Sequence, residues 1–166
     1  MPQVEYNRTQ QEQYHLAQIN IARMCAPLTA PLMVDFAAQL QEINAIADAS
    51  PGFVWRLQSE DGDATNIRAF DDEQILVNLS IWESIEALRD YVYRSQHGEV
   101  MRDRYRWFEK SHQPTLALWW IVAGHIPTIE EAKERLEYLR HHGSSPYAFS
   151  FAKPFPNPSQ ALTISI

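Results

Sequence analysis

The sequence predicts an α+β fold. One antiparallel sheet carries helices on one face, with the chain running β-α-β-β-α-β in the split βαβ, or ferredoxin-like, arrangement, and a C-terminal helix and short strand extend it. Three observations lead there. Residues 15–24 and 75–82 alternate between faces with the two-residue period of a half-buried strand. Between them Met33, Phe36, Leu40, Ile43 and Ala47 recur at helical spacing. A second helix-then-strand pattern follows Ser84.

Each element has a local reason. Residues 1–14 are polar and rich in Gln, an arm ahead of a single domain over residues 15–153. In the first strand Ala17, Ile19 and Ile21 make one face, and Leu16, Gln18, Asn20 and Ala22 the other. Pro31 suits a first helical turn, so a helix is expected over residues 32–48, and Ser50-Pro51-Gly52 stops it. Phe53, Trp55 and Leu57 then alternate with Val54, Arg56 and Gln58 as a second strand. With the third strand, beyond the charged loop at Glu60-Asp61-Gly62-Asp63, it predicts an antiparallel hairpin. Ser84 caps the next helix, which buries Ile85, Leu88 and Val92. His97-Gly98 interrupts it, and Met101, Tyr105 and Phe108 predict a further helical segment over residues 99–110. Residues 115–123 make a strongly apolar fourth strand. Thr128-Ile129-Glu130-Glu131 reads as a capping box, in which hydroxyl and carboxylate reciprocally satisfy backbone donors, so a third helix runs to about His142 and ends at Gly143. Residues 148–153 are expected to add a short fifth strand, ahead of a Pro-rich tail over residues 154–166.

Composition narrows the function classes. A chain of 166 residues with 45% hydrophobic content fills one core. A net charge of −7 argues against nucleic acid or an anionic membrane as partner. Cys25 has no intrachain partner for a disulfide, the N-terminal residues lack a basic-then-apolar secretory pattern, and a cytoplasmic location is expected. The apolar stretch over residues 116–124 is far short of the roughly 20 residues of a membrane span. Five glycines leave no phosphate loop, nucleophile elbow or dinucleotide fingerprint, and six histidines form no His-Glu-x-x-His pattern. Neither a metal nor a tightly bound organic cofactor is expected.

The third strand is the most informative segment. Ile75, Val77, Leu79 and Ile81 share one face, while Asn78, Ser80 and Trp82 put an amide, a hydroxyl and an indole on the other. Gln18 and Asn20 repeat that polar pattern on the first strand. Buried amides are costly unless paired, so this face reads as a ligand-lined space, or as amides capping one another. With helices on the opposite face only, a second copy of the chain is the simplest cover, which predicts a homodimer through sheet faces. Arg56, following Trp55 in its strand, either faces the same space or points to solvent at the sheet edge. Arg102, Arg104 and Arg106 either set a cation at its mouth or lie on a solvated surface. His97 is either a helix-ending histidine or a general base.

Beyond these patterns, Asn20, the Asn78-x-x-x-Trp82 spacing and the element order resemble the dimeric α/β-barrel superfamily named for antibiotic-biosynthesis monooxygenases. Pro51-Gly52-Phe53-Val54-Trp55-Arg56-Leu57, Trp82-Glu83-Ser84, Leu118-Trp119-Trp120 and Ala148-Phe149-Ser150-Phe151 more closely resemble a bacterial family of unknown function within it. The resemblance implies a cavity-facing role for Asn20, Asn78 and Trp82. Amide donors there would hold an enolate that gives an electron to oxygen, and the indole would stack on an aromatic substrate. The expected protein is therefore a small-molecule-binding one, monooxygenase-like and cofactor-independent, acting on an apolar or aromatic metabolite. Asn78, Trp82 and His97 are its candidate catalytic residues, and Gln18, Asn20, Arg56 and Ser80 its binding residues. The competing class is a noncatalytic binding or sensing module, or haem binding through His97.

Overall fold

The computed structural model describes residues 12–59, 62–65, 67–94 and 103–161. Strand β1 (Tyr14–Arg23) pairs antiparallel with β3 (Ile75–Trp82) on one side and β4 (Leu116–Val122) on the other, and β2 (Phe53–Arg56) closes the far side of β3. The sheet order β2-β3-β1-β4 and the sequential β2–β3 hairpin are those of the predicted βαββαβ arrangement. A single 3-10 turn (Pro31–Met33) leads into α1 (Val34–Ala49), as the Pro31 signal implied. Helix α2 (Ile85–Arg94) starts at Ser84, whose Oγ accepts the Ala87 N–H at 3.1 Å. Helix α3 (Ile129–His142) starts at Thr128, whose hydroxyl accepts the Glu131 N–H. The capping box is only half formed, because the Glu131 carboxylate turns to His125 Nε2 at 2.9 Å. Gly143, at φ 73°, ends α3 as expected. No described helix is long and apolar enough to cross a membrane.

The two faces of the sheet are covered from within the chain, and this corrects the premise of the face-to-face dimer. Helices α1 and α2 lie over the face that carries Gln18, Asn78, Ser80 and Trp82: Ala47 and Leu88 pack with Leu16, Trp82 and Leu118, and Phe36 packs with Met33, Met24 and Trp107. Helix α3 covers the other face. Its Ala132, Leu136 and Leu139 meet Ile19, Leu79, Ile81, Ala117 and Trp119, all of them buried. The reason lies in α3 itself, whose apolar residues at i, i+4 and i+7 need a partner surface and find the face lined by Ala17, Ile19, Leu79 and Ile81. The polar face is therefore the inner one.

Two expected elements differ. Of the helix over residues 99–110, residues 95–102 lie outside the described residues. In the remainder Asp103 is helical and a 3-10 turn (Arg104–Arg106) follows, and the helix ends there because the backbone beyond it pairs with the end of β1: Cys25 N–H donates to Trp107 O at 2.7 Å and Glu109 N–H to Arg23 O at 2.9 Å. A tertiary ladder overrides the local period there. The fifth strand reduces to one bridge, Leu118 with Phe149, since the next residue is drawn away when Ser150 N–H donates to Ser144 Oγ at 3.1 Å. Beyond it Phe155 O accepts the Trp120 indole N–H at 2.9 Å, and a short α4 (Pro158–Ala161) follows.

Gly52 fixes the α1–β2 turn against α2. Its φ is 81°, and a Cβ there would stand 2.5 Å from Ala87 Cβ. Gly52→Ala is expected to lose about 2 to 4 kcal/mol from backbone strain and overpacking together, measured by denaturant unfolding. Leu136→Ala is expected to cost about 2 to 5 kcal/mol in the same assay, since α3 seals the core of the single chain. A cost near zero would mean that α3 is dispensable to that face.

Candidate functional site

The register of three strands assembles the site in rows. Opposed residues in an antiparallel pair share a face, so Arg56, Ser80 and Gln18 stand side by side across β2, β3 and β1, with Asn78 beside Asn20 in the next row and Trp82 beside Leu16 in the row on the other side. Above them α1 and α2 stand apart enough to leave a cavity of about 890 Å³, floored by Gln18, Asn20, Asn78 and Ser80. Asn78 is exposed although it sits on the helix-covered face of an interior strand. That combination requires an open space over it.

The floor is one hydrogen-bonded chain. Trp82 Nε1–H donates to Ser80 Oγ at 2.9 Å, and Gln18 Nε2 donates both to Ser80 Oγ at 2.8 Å and to Asn78 Oδ1. A hydroxyl oxygen accepts two hydrogen bonds and its proton makes one. Both accepting positions of Ser80 are filled by N–H donors, so its proton is left to point elsewhere, and no described residue accepts it. Asn78 likewise accepts through Oδ1 and keeps its NH₂ for the cavity. The result is a floor that offers protons to an oxygen above it.

The structure thus brings together Gln18, Asn20, Asn78, Ser80 and Trp82. Arg56 joins them in register but is committed: Nε and Nη2 donate to the Asp48 carboxylate at 2.7 and 3.2 Å, and Nη1 donates to Gly62 O at 2.7 Å. Trp82 is 1% exposed, its ring stacked on Tyr91 with centroids 5.1 Å apart and set edge-on to Phe53 at 5.4 Å. The indole expected to stack on a substrate meets Tyr91 through its ring and Ser80 through its nitrogen. His97 and Arg102 lie outside the described residues. Of the other two arginines, Arg104 lines the cavity mouth, while Arg106 bonds Asp35 at 3.1 Å and stands 5.1 Å from the Trp107 ring.

Two residues of the cavity wall were missed. Asn44 reaches it from α1, one turn beyond Leu40, and that spacing is legible in the sequence as an amide bordering an apolar stripe. Tyr91 reaches it from α2, one turn beyond Leu88, with its hydroxyl 3.4 Å from Ile43 O. Burial pushes the Tyr91 phenol well above its ordinary value of 10.0, with Arg56 opposing and Asp48 adding to the shift. Because the folded ring keeps its proton to higher pH than the unfolded one, its contribution to stability is complete below about pH 10 and is lost as pH rises above that toward the folded value. Tyr91→Phe is expected to flatten the alkaline limb of the stability curve. In the parent, one tyrosinate absorption should appear only on unfolding; its appearance in the folded protein near the ordinary pKa would contradict this burial.

No curated protein matches the chain. Among solved structures, PA3566 from Pseudomonas aeruginosa is similar at 12% identity and a TM-score of 0.45, covering 69% of this chain and 98% of that one. The NE2512 protein of unknown function from Nitrosomonas europaea is similar at 12% identity and a TM-score of 0.46, covering 70% and 98%. SnoaB, a cofactor-independent oxygenase from Streptomyces nogalater, is similar at 15% identity and a TM-score of 0.41, covering 68% and 95%. A family profile matches over residues 15–164, which takes in every element from β1 to α4, and the chain belongs to that family, the domain of unknown function DUF3291.

Proposed function

We propose that the cavity binds an apolar, aromatic metabolite through a hydrogen-bond-accepting oxygen, and that the protein acts on it as a cofactor-independent, monooxygenase-like enzyme. The observation that carries this reading is the floor in which N–H donors fill the accepting positions of Ser80 Oγ and one donor meets Asn78 Oδ1, with both residues lining an open cavity. Phe36, Leu40, Ile43 and Leu116 add apolar wall that suits a flat hydrocarbon body. A ketone held oxygen-down would develop negative charge on that oxygen as the adjacent carbon loses a proton. Two donors fixed before the reaction stabilise this enolate without having to reorganise. The enolate is the electron-rich form that passes an electron to oxygen. For an anthrone, the overall change is anthrone plus O₂ to anthraquinone plus water.

This is tested with anthrone in air-saturated buffer, following oxygen uptake and quinone formation above the uncatalysed background. The wild-type rate should exceed background, and Asn78→Leu should lose about a hundredfold of that excess, as removal of one oxyanion donor does elsewhere. Because Asn78 is exposed, the variant should keep its thermal midpoint. Saturable binding with the anthrone returned unchanged would move the reading to a noncatalytic carrier. Absence of both binding and turnover would remove it.

A further inference from the structure

The same cavity is lined by a second group of polar residues, from the segment 104–110. The chain as a whole is acidic, with a net charge of −7, yet the charged side chains along this cavity are mostly basic. Nearly all of them are neutralised locally. Arg56 is bound to Asp48, Arg23 to Asp72 and Glu109 at 2.7 Å each, and Arg140 to Glu137 at 3.0 Å. Asp63 accepts the Thr65 N–H at 2.9 Å. Two cations are left over. Arg104 and Lys110 meet no carboxylate among the described residues, and both gather on the ring of Tyr105, with Cζ 4.9 Å and Nζ 4.8 Å from its centroid.

Two unpaired positive charges held around one aromatic ring repel each other, and the ring's negative faces offset only part of that. A ligand anion between them would relieve it and would be steered there by the local field, against the overall charge of the protein. We infer that the natural ligand is an aromatic acid bound in one direction, its accepting oxygen on Ser80 and Asn78 and its carboxylate, or another anionic group, at Arg104 and Lys110. This rests on the cavity reading above and adds the anionic end and the polarity. The committed state of Arg56 is part of the argument, because among the described residues of the lining it leaves Arg104 and Lys110 as the cations without a carboxylate.

The test compares 9-fluorenone-2-carboxylate with its methyl ester by calorimetry, on the wild type, on Asn78→Leu, and on the double variant Arg104→Gln with Lys110→Gln. Both substituted cations are exposed, so the double variant should fold normally. At low salt the acid should bind about tenfold more tightly than the ester, and the preference should shrink at about 0.5 M salt. The double variant should abolish the preference and leave ester affinity unchanged. Equal affinity for acid and ester, with both weakened by Asn78→Leu, overturns the anionic pole and leaves the cavity reading standing. An acid preference that survives the double variant overturns the assignment to these two cations. If neither compound binds the wild type, the cavity reading falls and the inference falls with it.

Discussion

Everything in this molecule depends on how the two faces of the β1–β3 pair are kept different. One face is apolar through its middle, from Ala17 to Ile21 and from Val77 to Ile81, and such a surface has to be covered; α3 does so from within the chain. The other face carries groups that must make hydrogen bonds, so helices cannot simply close over it. Helices α1 and α2 pack on its ends, against Leu16 and Trp82 at one side and Met24 and Trp107 at the other. The cavity is what remains between these two contacts.

Within that space Ser80 sets the chemical character. Were its hydroxyl free to rotate, it would accept from a ligand as readily as it donates. The indole of Trp82, with an N–H and no lone pair to offer, takes away that choice, and Gln18 fills the other acceptor position. The stacked Tyr91 ring and the edge of Phe53 in turn hold the indole in place. Aromatic packing beside the floor therefore decides which hydrogen-bonding sense the floor presents.

Much of this was legible in the sequence. The strand alternation placed Gln18, Asn20, Asn78, Ser80 and Trp82 on a common face, and the caps at Ser84, Thr128 and Gly143 marked helix ends, because both signals are local. What covers a face is not local. The polar face was taken for the outer one, since a pattern of two-residue period says which residues lie together and nothing about which partner lies above them. Trp107 and Phe108 were read as helical for a similar reason: their pairing with β1 involves residues more than eighty positions away, beyond the reach of any short-range period. Trp82 was read by its type, as a ring for stacking, when its neighbours had already claimed both its ring face and its nitrogen. Tyr91 and Asn44 lay in view, one turn from residues already assigned, and were passed over because a helix stripe was being read for its apolar members alone.

The separation in sequence of the site's partners has a kinetic meaning. Gln18 meets Asn78 and Ser80 at sequence separations of 60 and 62, and β1 has no strand neighbour nearer to it in the chain than β3. In a growing chain β1 stays unpaired until β3, which ends at Trp82, has been made. The floor thus belongs to the late, nonlocal stage of folding, the kind that is slow because loop closure precedes any reward. A slip of one residue between β1 and β3 would turn every amide away from the cavity, so a chain that displays this floor has already passed the register check on which the whole sheet depends.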